Sequence, residues 1–121
     1  MFDIRSQSFA PDRLKILAKH LGIKRIDMVD IKDYGYIYFE LAVIDLNTNN
    51  TYEEELATLC HELGHWVMYR IHLHKLLRLK YNRRLSEWFA DFVGNIIRIF
   101  VVGRNNLSDE AWDKFKKSVV R

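Results

Sequence analysis

Apolar residues recur along this chain with two periods, and the switches between them mark out its elements. Leu14, Leu17, Ala18 and Leu21 fall three and four apart. Pro11 ahead of them suits a first helical position and Gly22 behind them a stop, which predicts a helix near 11–21. Ile26, Met28 and Val29 read as a short strand. Lys32-Asp33-Tyr34-Gly35 reads as a turn. The run Tyr36 to Leu46, rich in aromatic and β-branched residues, predicts the longest strand near 36–45. Asn47-Thr48-Asn49-Asn50 closes it. Thr51 and Glu54 then stand at capping-box spacing, and Glu53 to Glu55 suit the positive end of a second helix carrying Leu56, Leu59, Leu63, Val67 and Ile71. A third helix is expected from about Leu85 to Val102, with Gly103 as its terminator. Ser108 caps a last one that turns Ala111, Trp112, Phe115 and Val119 inward. The order predicts an α+β fold: a small antiparallel sheet packed with about four helices.

Composition narrows the class without naming a function. The 121 residues suffice for a buried core, and the expectation is a single domain over 1–121. Hydrophobic residues make up 49% and charged residues 29%, an ordinary globular balance that argues against disorder. One cysteine, Cys60, excludes an intramolecular disulfide framework. The densest apolar stretch, Phe89 to Val102, is interrupted by Asp91, Asn95 and Arg98, short of the roughly 18–20 residues of a membrane span. Met1-Phe2-Asp3-Ile4-Arg5 lacks the basic start and apolar stretch of a signal peptide. These features point to a cytoplasmic protein with no membrane partner. The net charge of +3 is mild. Six basic residues (Arg70, Lys75, Arg78, Lys80, Arg83, Arg84) cluster beside His72 and His74, and a solvated face is favoured there over a docking surface for an acidic partner. No nucleic-acid motif accompanies them, so nucleic acid is not expected among the partners.

The chemistry concentrates in His61-Glu62-Leu63-Gly64-His65. Two histidines four apart share a helix face, so both imidazoles can reach one metal ion. The glutamate beside the first can take a proton from a water held there. Zn2+ in a catalytic site needs a third protein ligand and one open position. The next helix offers Glu87 and Asp91, again four apart, with apolar neighbours that imply burial: Glu87 as ligand, Asp91 as acceptor for a ligand histidine's N–H. A straight helix from 65 to 87 would hold the two sites about 33 Å apart. The chain must therefore reverse, near Leu76, in a loop at about 72–81 that no glycine or proline announces. His72 does not fit the alternative third-ligand pattern, since Met68 and Ile71 occupy the positions that pattern fixes as Gly and His.

Other residues attract attention. Tyr69, His72, His74 and Tyr81 could steady a developing oxyanion, though surface or packing roles are favoured for each. Cys60 precedes a ligand and should point away from the metal as a small buried thiol. His20 reads as structural or exposed. Gly64 would let a neighbouring backbone approach the metal helix closely. Trp66, Trp88 and Phe89 read as core. An open edge on the strand at 36–45 could hold a peptide as an added strand.

Ile44-Asp45-Leu46-Asn47, Glu54 through His65, and Glu87-Trp88-Phe89-Ala90-Asp91 together resemble the ImmA/IrrE family of small zinc metallopeptidases. That family pairs a strand and a His-Glu-Leu-Gly-His helix with a later Glu-x-x-Ala-Asn/Asp helix. The likeness spans roughly residues 35–100, and Phe92-Val93 stands where the family often has Phe-Ala. SprT-like peptidases share the first motif alone. The resemblance implies a gluzincin-like, minimal zincin-like domain with His61, His65 and Glu87 on Zn2+ and Glu62 as base. It also implies a phage or mobile-element setting and a protein substrate such as a helix-turn-helix transcriptional repressor. The rival expectation is a zinc-stabilised binding or regulatory module that does not cut.

Overall fold

A computed structural model describes residues 3–4, 12–71 and 83–118 of the chain. Its elements are β1 (Asp3–Ile4), α1 (Asp12–His20), β2 (Arg25–Val29), β3 (Gly35–Tyr38), β4 (Val43–Asn47), α2 (Tyr52–Arg70), α3 (Arg83–Ile97, continued by a π-helical turn over Arg98–Val102) and α4 (Asp109–Ser118). The class is α+β, as the pattern predicts. The local stop signals lie where the chain announces them. Gly22 and Gly103 both take positive φ, at 97° and 90°, behind α1 and the π-helical turn. Thr51 and Glu54 close a capping box, Glu54 N–H donating to Thr51 Oγ1 and Thr51 N–H to Glu54 Oε1. Ser108 Oγ accepts from Ala111 N–H at the start of α4. Val119 lies outside the described residues.

The sheet differs from expectation, beginning with an unexpected short strand, β1, at one edge. The single long strand at 36–45 is two strands, β3 and β4, separated by a turn over Phe39–Ala42 in which Ala42 N–H donates to the Phe39 carbonyl. Ala42 adopts φ 56°, the left-handed region where glycine is usual, so the run carries no sequence sign of its turn. The sheet is also mixed. Its order is β1-β2-β4-β3, with β3 antiparallel to β4 but β2 parallel to both β1 and β4. Strand β4 enters between β2 and β3, which leaves β3 at one edge. Alternation sends Ile26, Met28, Ile37, Ile44 and Leu46 to the helix-covered face and Tyr36, Tyr38 and Asp45 to the other.

Helix α2 is the centre of the molecule. Every residue from Glu55 to Trp66 is buried, so it has no solvent face over those turns. The sheet covers one side of it and α3 another. Against α3 the packing is through small residues on both helices. A Cβ on Gly64 would meet the Ala90 backbone, with Ala90 Cα at 2.8 Å, and a Cβ on Gly94 would stand 3.0 Å from the Cys60 carbonyl oxygen. The two contacts pair 64 with 90 and 60 with 94, so the helices run antiparallel. The expected reversal near Leu76 falls outside the described residues, but its consequence, a level Glu87, is present.

Arg98, buried in the π-helical turn, ties this end of α3 to α4. Its guanidinium donates to Asn95 Oδ1 and to the Leu107 carbonyl and pairs with Asp109 at 2.7 Å. Trp112 and Phe115 of α4 then pack into the core beneath α2. No helix among the described residues is long and apolar enough to cross a membrane.

Gly64→Ala tests the seam. It should destabilise the protein by about 1–3 kcal/mol in urea unfolding, overpacking outweighing alanine's better helix propensity. A neutral or stabilised variant would show that α3 can move away freely.

Candidate metal centre

The capping box starts α2 at a fixed residue, and ten residues later the helix delivers His61, Glu62 and His65 into the interior. His61 is 2% exposed and both Glu62 and His65 are 8% exposed. One donor atom from each of the three lies within 4.8 Å of the others. The small-residue seam then sets α3 one residue along. Glu87 Oε2 stands 2.9 Å from His61 Nε2, and Glu87 Oε1 stands 3.5 Å from His65 Nε2. Asp91, four residues on, accepts a hydrogen bond from His61 Nδ1 at 2.8 Å. All five residues that the motif spacing singled out are thus brought to one point.

Ser86 joins them without having been read from the sequence. Its buried Oγ lies 3.4 Å from His65 Nδ1, the counterpart of Asp91 at His61. The available signal was its place four residues before Ala90 and five before Asp91, on the face that meets α2. Both histidines therefore have Nδ1 engaged and Nε2 turned toward the Glu87 carboxylate. The two rings stand nearly perpendicular, 88° apart, with centroids 4.7 Å apart. His61 Nε2 is buried without an aligned hydrogen-bond partner. Two inward Nε2 atoms, their Nδ1 atoms held by an acid and a hydroxyl, together with a converging carboxylate are a donor set that fits Zn2+.

Without a metal, a proton occupies this place. Burial alone would push His61 down, but the hydrogen bond to Asp91 and the nearby Glu87 and Glu62 carboxylates outweigh it and hold the imidazole up at about 9. Burial likewise opposes the charge on Glu87, yet contact with His61 and His65 holds its carboxyl well below the usual range. Proton and metal compete for one imidazole nitrogen.

The centre opens into a cleft of about 1140 Å³. One wall is the edge strand, from Tyr34 to Ile37, and another is formed by Thr58, Glu62 and Phe115. Asn47 N–H donates to the Tyr34 carbonyl. From that bond the alternation of an antiparallel ladder turns the main-chain groups of Gly35 and Ile37 to the outer edge. Among the described residues the open edge belongs to β3, at 35–38, rather than to one strand over 36–45.

Of the remaining candidates, Tyr69 lines the cleft and packs against Phe39 and Trp66, with ring centroids 4.8 and 5.4 Å away. Cys60 is fully buried, its thiol pushed up to about 12 by desolvation. His20 is exposed at the end of α1. Trp66 is core and donates to the Leu21 carbonyl. Phe89 is half-buried, but Trp88 corrects the core reading: it is 60% exposed, on the side of α3 turned away from α2. His72, His74, Tyr81, Lys75, Arg78 and Lys80 lie outside the described residues, while Arg70 and Arg84 are exposed. No family model, curated protein or solved structure matches this chain.

Two outcomes follow. In chelator, a group held above its ordinary value lends stability that is complete below pH 6.5 and is lost on rising through about 9. The melting temperature of the metal-free protein should therefore fall between those limits, and a flat profile would show that His61 holds no extra proton. Zinc retention on equilibrium dialysis should collapse in Glu87→Ala and weaken about 10–100-fold in Asp91→Ala. Unchanged zinc content in Glu87→Ala would remove it from the ligand set.

Proposed function

We propose that the protein is a zinc-dependent endopeptidase acting on an intracellular protein substrate. One observation carries the reading: two inward Nε2 atoms and the Glu87 carboxylate meet beside Glu62, at the floor of a cleft walled by an open strand edge. His61, His65 and Glu87 would hold the ion. Bound there, zinc supplies Lewis acidity, polarising a carbonyl and lowering the pKa of water toward about 7.

The chain's own groups do the rest. Glu62, one residue from His61 and not needed to complete the three-ligand set, accepts the proton of the attacking water. It then returns that proton to the leaving amine nitrogen. Asp91 and Ser86 fix the orientation of the two imidazoles, so that each presents Nε2 and not Nδ1. Gly35 and Ile37 offer main-chain donors and acceptors along the cleft. An extended peptide can pair there as an added strand, with a backbone amide carried past Glu62 in fixed register.

The resemblance to the ImmA/IrrE pattern adds a substrate class, a helix-turn-helix repressor of a phage or mobile element. A carboxylate beside the three ligands, able to act as a base, favours cutting over a zinc site that only holds the fold together.

Glu62→Gln decides between cutting and binding. The variant should keep its zinc and its melting temperature and lose proteolysis, read as new protein N-termini that appear in host cells expressing the wild type only. Cleavage retained by a zinc-loaded Glu62→Gln would overturn the mechanism. An identical set of N-termini in both, with folded and metallated protein, would return the site to a structural or regulatory role.

A further inference from the structure

Helix α3 packs one side against α2, and the opposite side is exposed with no described element against it. From residue 85 to residue 103, the exposed positions are Leu85, Trp88, Phe92, Ile96 and Phe100, all large and apolar. Trp88 is 60%, Phe92 53% and Phe100 77% exposed, and the rings of Trp88 and Phe92 stack with centroids 5.6 Å apart. A surface helix of a globular protein ordinarily turns charged and polar residues to this side. Here the face between Arg84 and Gly103 carries no exposed charge. This outer side is as apolar as a buried face, yet among the described residues no layer covers it.

We infer that a second copy of this chain supplies the missing layer, docking α3 against α3 about a twofold axis near Phe92. Three observations favour a copy over other occupants. Trp88, Phe92, Ile96 and Phe100 follow one another at intervals of four, a continuous i+4n ridge. Such ridges interdigitate with their own kind at a crossing of about −50°, so the surface is complementary to itself. At that crossing, contact centres on Phe92, and Arg84 of the two copies diverges.

Area agrees. With aromatic side chains of about 150–250 Å² each, the exposed fractions leave on the order of 500 Å² of apolar surface per copy. That is at the upper end for a monomer's largest patch and the larger part of the roughly 800 Å² each partner gives to a stable interface.

A membrane surface fits less well. The lipid-facing side of an interfacial helix is rimmed by basic residues. Along this stretch the only basic residue, Arg98, is buried and committed to Asn95, Leu107 and Asp109, and the exposed Arg84 and Arg104 stand at the two ends of the stretch rather than along its sides.

The inference does not depend on the metal reading. The full chain, in sedimentation equilibrium, should show a mass rising with concentration toward twice its 14.5 kDa. Trp88→Ser/Phe92→Ser should weaken self-association about 100-fold while keeping the wild-type circular dichroism, because both side chains are exposed in the single chain. Phe92→Cys should cross-link to dimer with a short bismaleimide, and Lys19→Cys, exposed on α1, should not. Cys60 is fully buried and does not compete. A wild type that stays monomeric at high micromolar concentration would overturn the proposal, as would cross-linking at Phe92→Cys no stronger than at Lys19→Cys. Monomer that floats with phosphatidylserine-containing vesicles, and loses this in the double variant, would assign the face to lipid instead.

Discussion

The centre depends on how closely two helices approach. Cys60 and Gly64 on α2 face Ala90 and Gly94 on α3, and the spacing of four on each helix makes the contact repeat over a full turn. With no bulk between them, the α3 backbone comes against α2, and a side chain one step off the seam need reach only a short way. His61 and His65 are the residues immediately after Cys60 and Gly64, and Asp91 is the residue immediately after Ala90. The polar groups therefore flank the seam on one side in matched register. Larger residues in the seam would push Glu87 and Asp91 outward together, because both are carried by the same rigid helix.

Burying two imidazoles and several carboxylates costs free energy, and unpaired charges in such a place would not be tolerated. The arrangement meets the cost by mutual satisfaction. Asp91 and Glu87 bracket His61 from its two nitrogens, and Phe115 closes over its ring with centroids 5.9 Å apart. That apolar cover comes from α4, which is held in place by the buried Arg98 at the far end of α3. The π-helical turn has a role here: it turns Arg98 inward at the point where α3 ends and α4 must be positioned.

Much of this was legible because it is local. A capping box, a glycine behind a helix and a serine ahead of one act within four residues of chain, and Thr51, Gly22, Gly103 and Ser108 behave as their neighbours require. The pairing of His61-Glu62-x-x-His65 with Glu87 and Asp91 was legible through helical spacing, although the link between the two helices gives no signal. What escaped the sequence depends on partners distant in the chain. Ala42 makes a turn in a conformation alanine does not advertise, so two strands looked like one. The parallel pairing of β2 with β4 depends on β4 inserting between its predecessors. Ser86 matters only because α2 lies opposite. Trp88 reads as core in the sequence, whereas its direction is set by which side of α3 the seam occupies.

Among the described residues, every polar group at the centre comes from α2 and α3, and none from the sheet. The strand edge that walls the cleft belongs to a separate layer, joined to the centre through the apolar underside of α2. Substitutions along Tyr34 to Ile37 can therefore remodel what the cleft accepts without moving a donor atom. Changes in the seam, in contrast, shift Glu87 and Asp91 together relative to the two histidines. The shape of the cleft is thus separable from the two-helix unit that carries the donors.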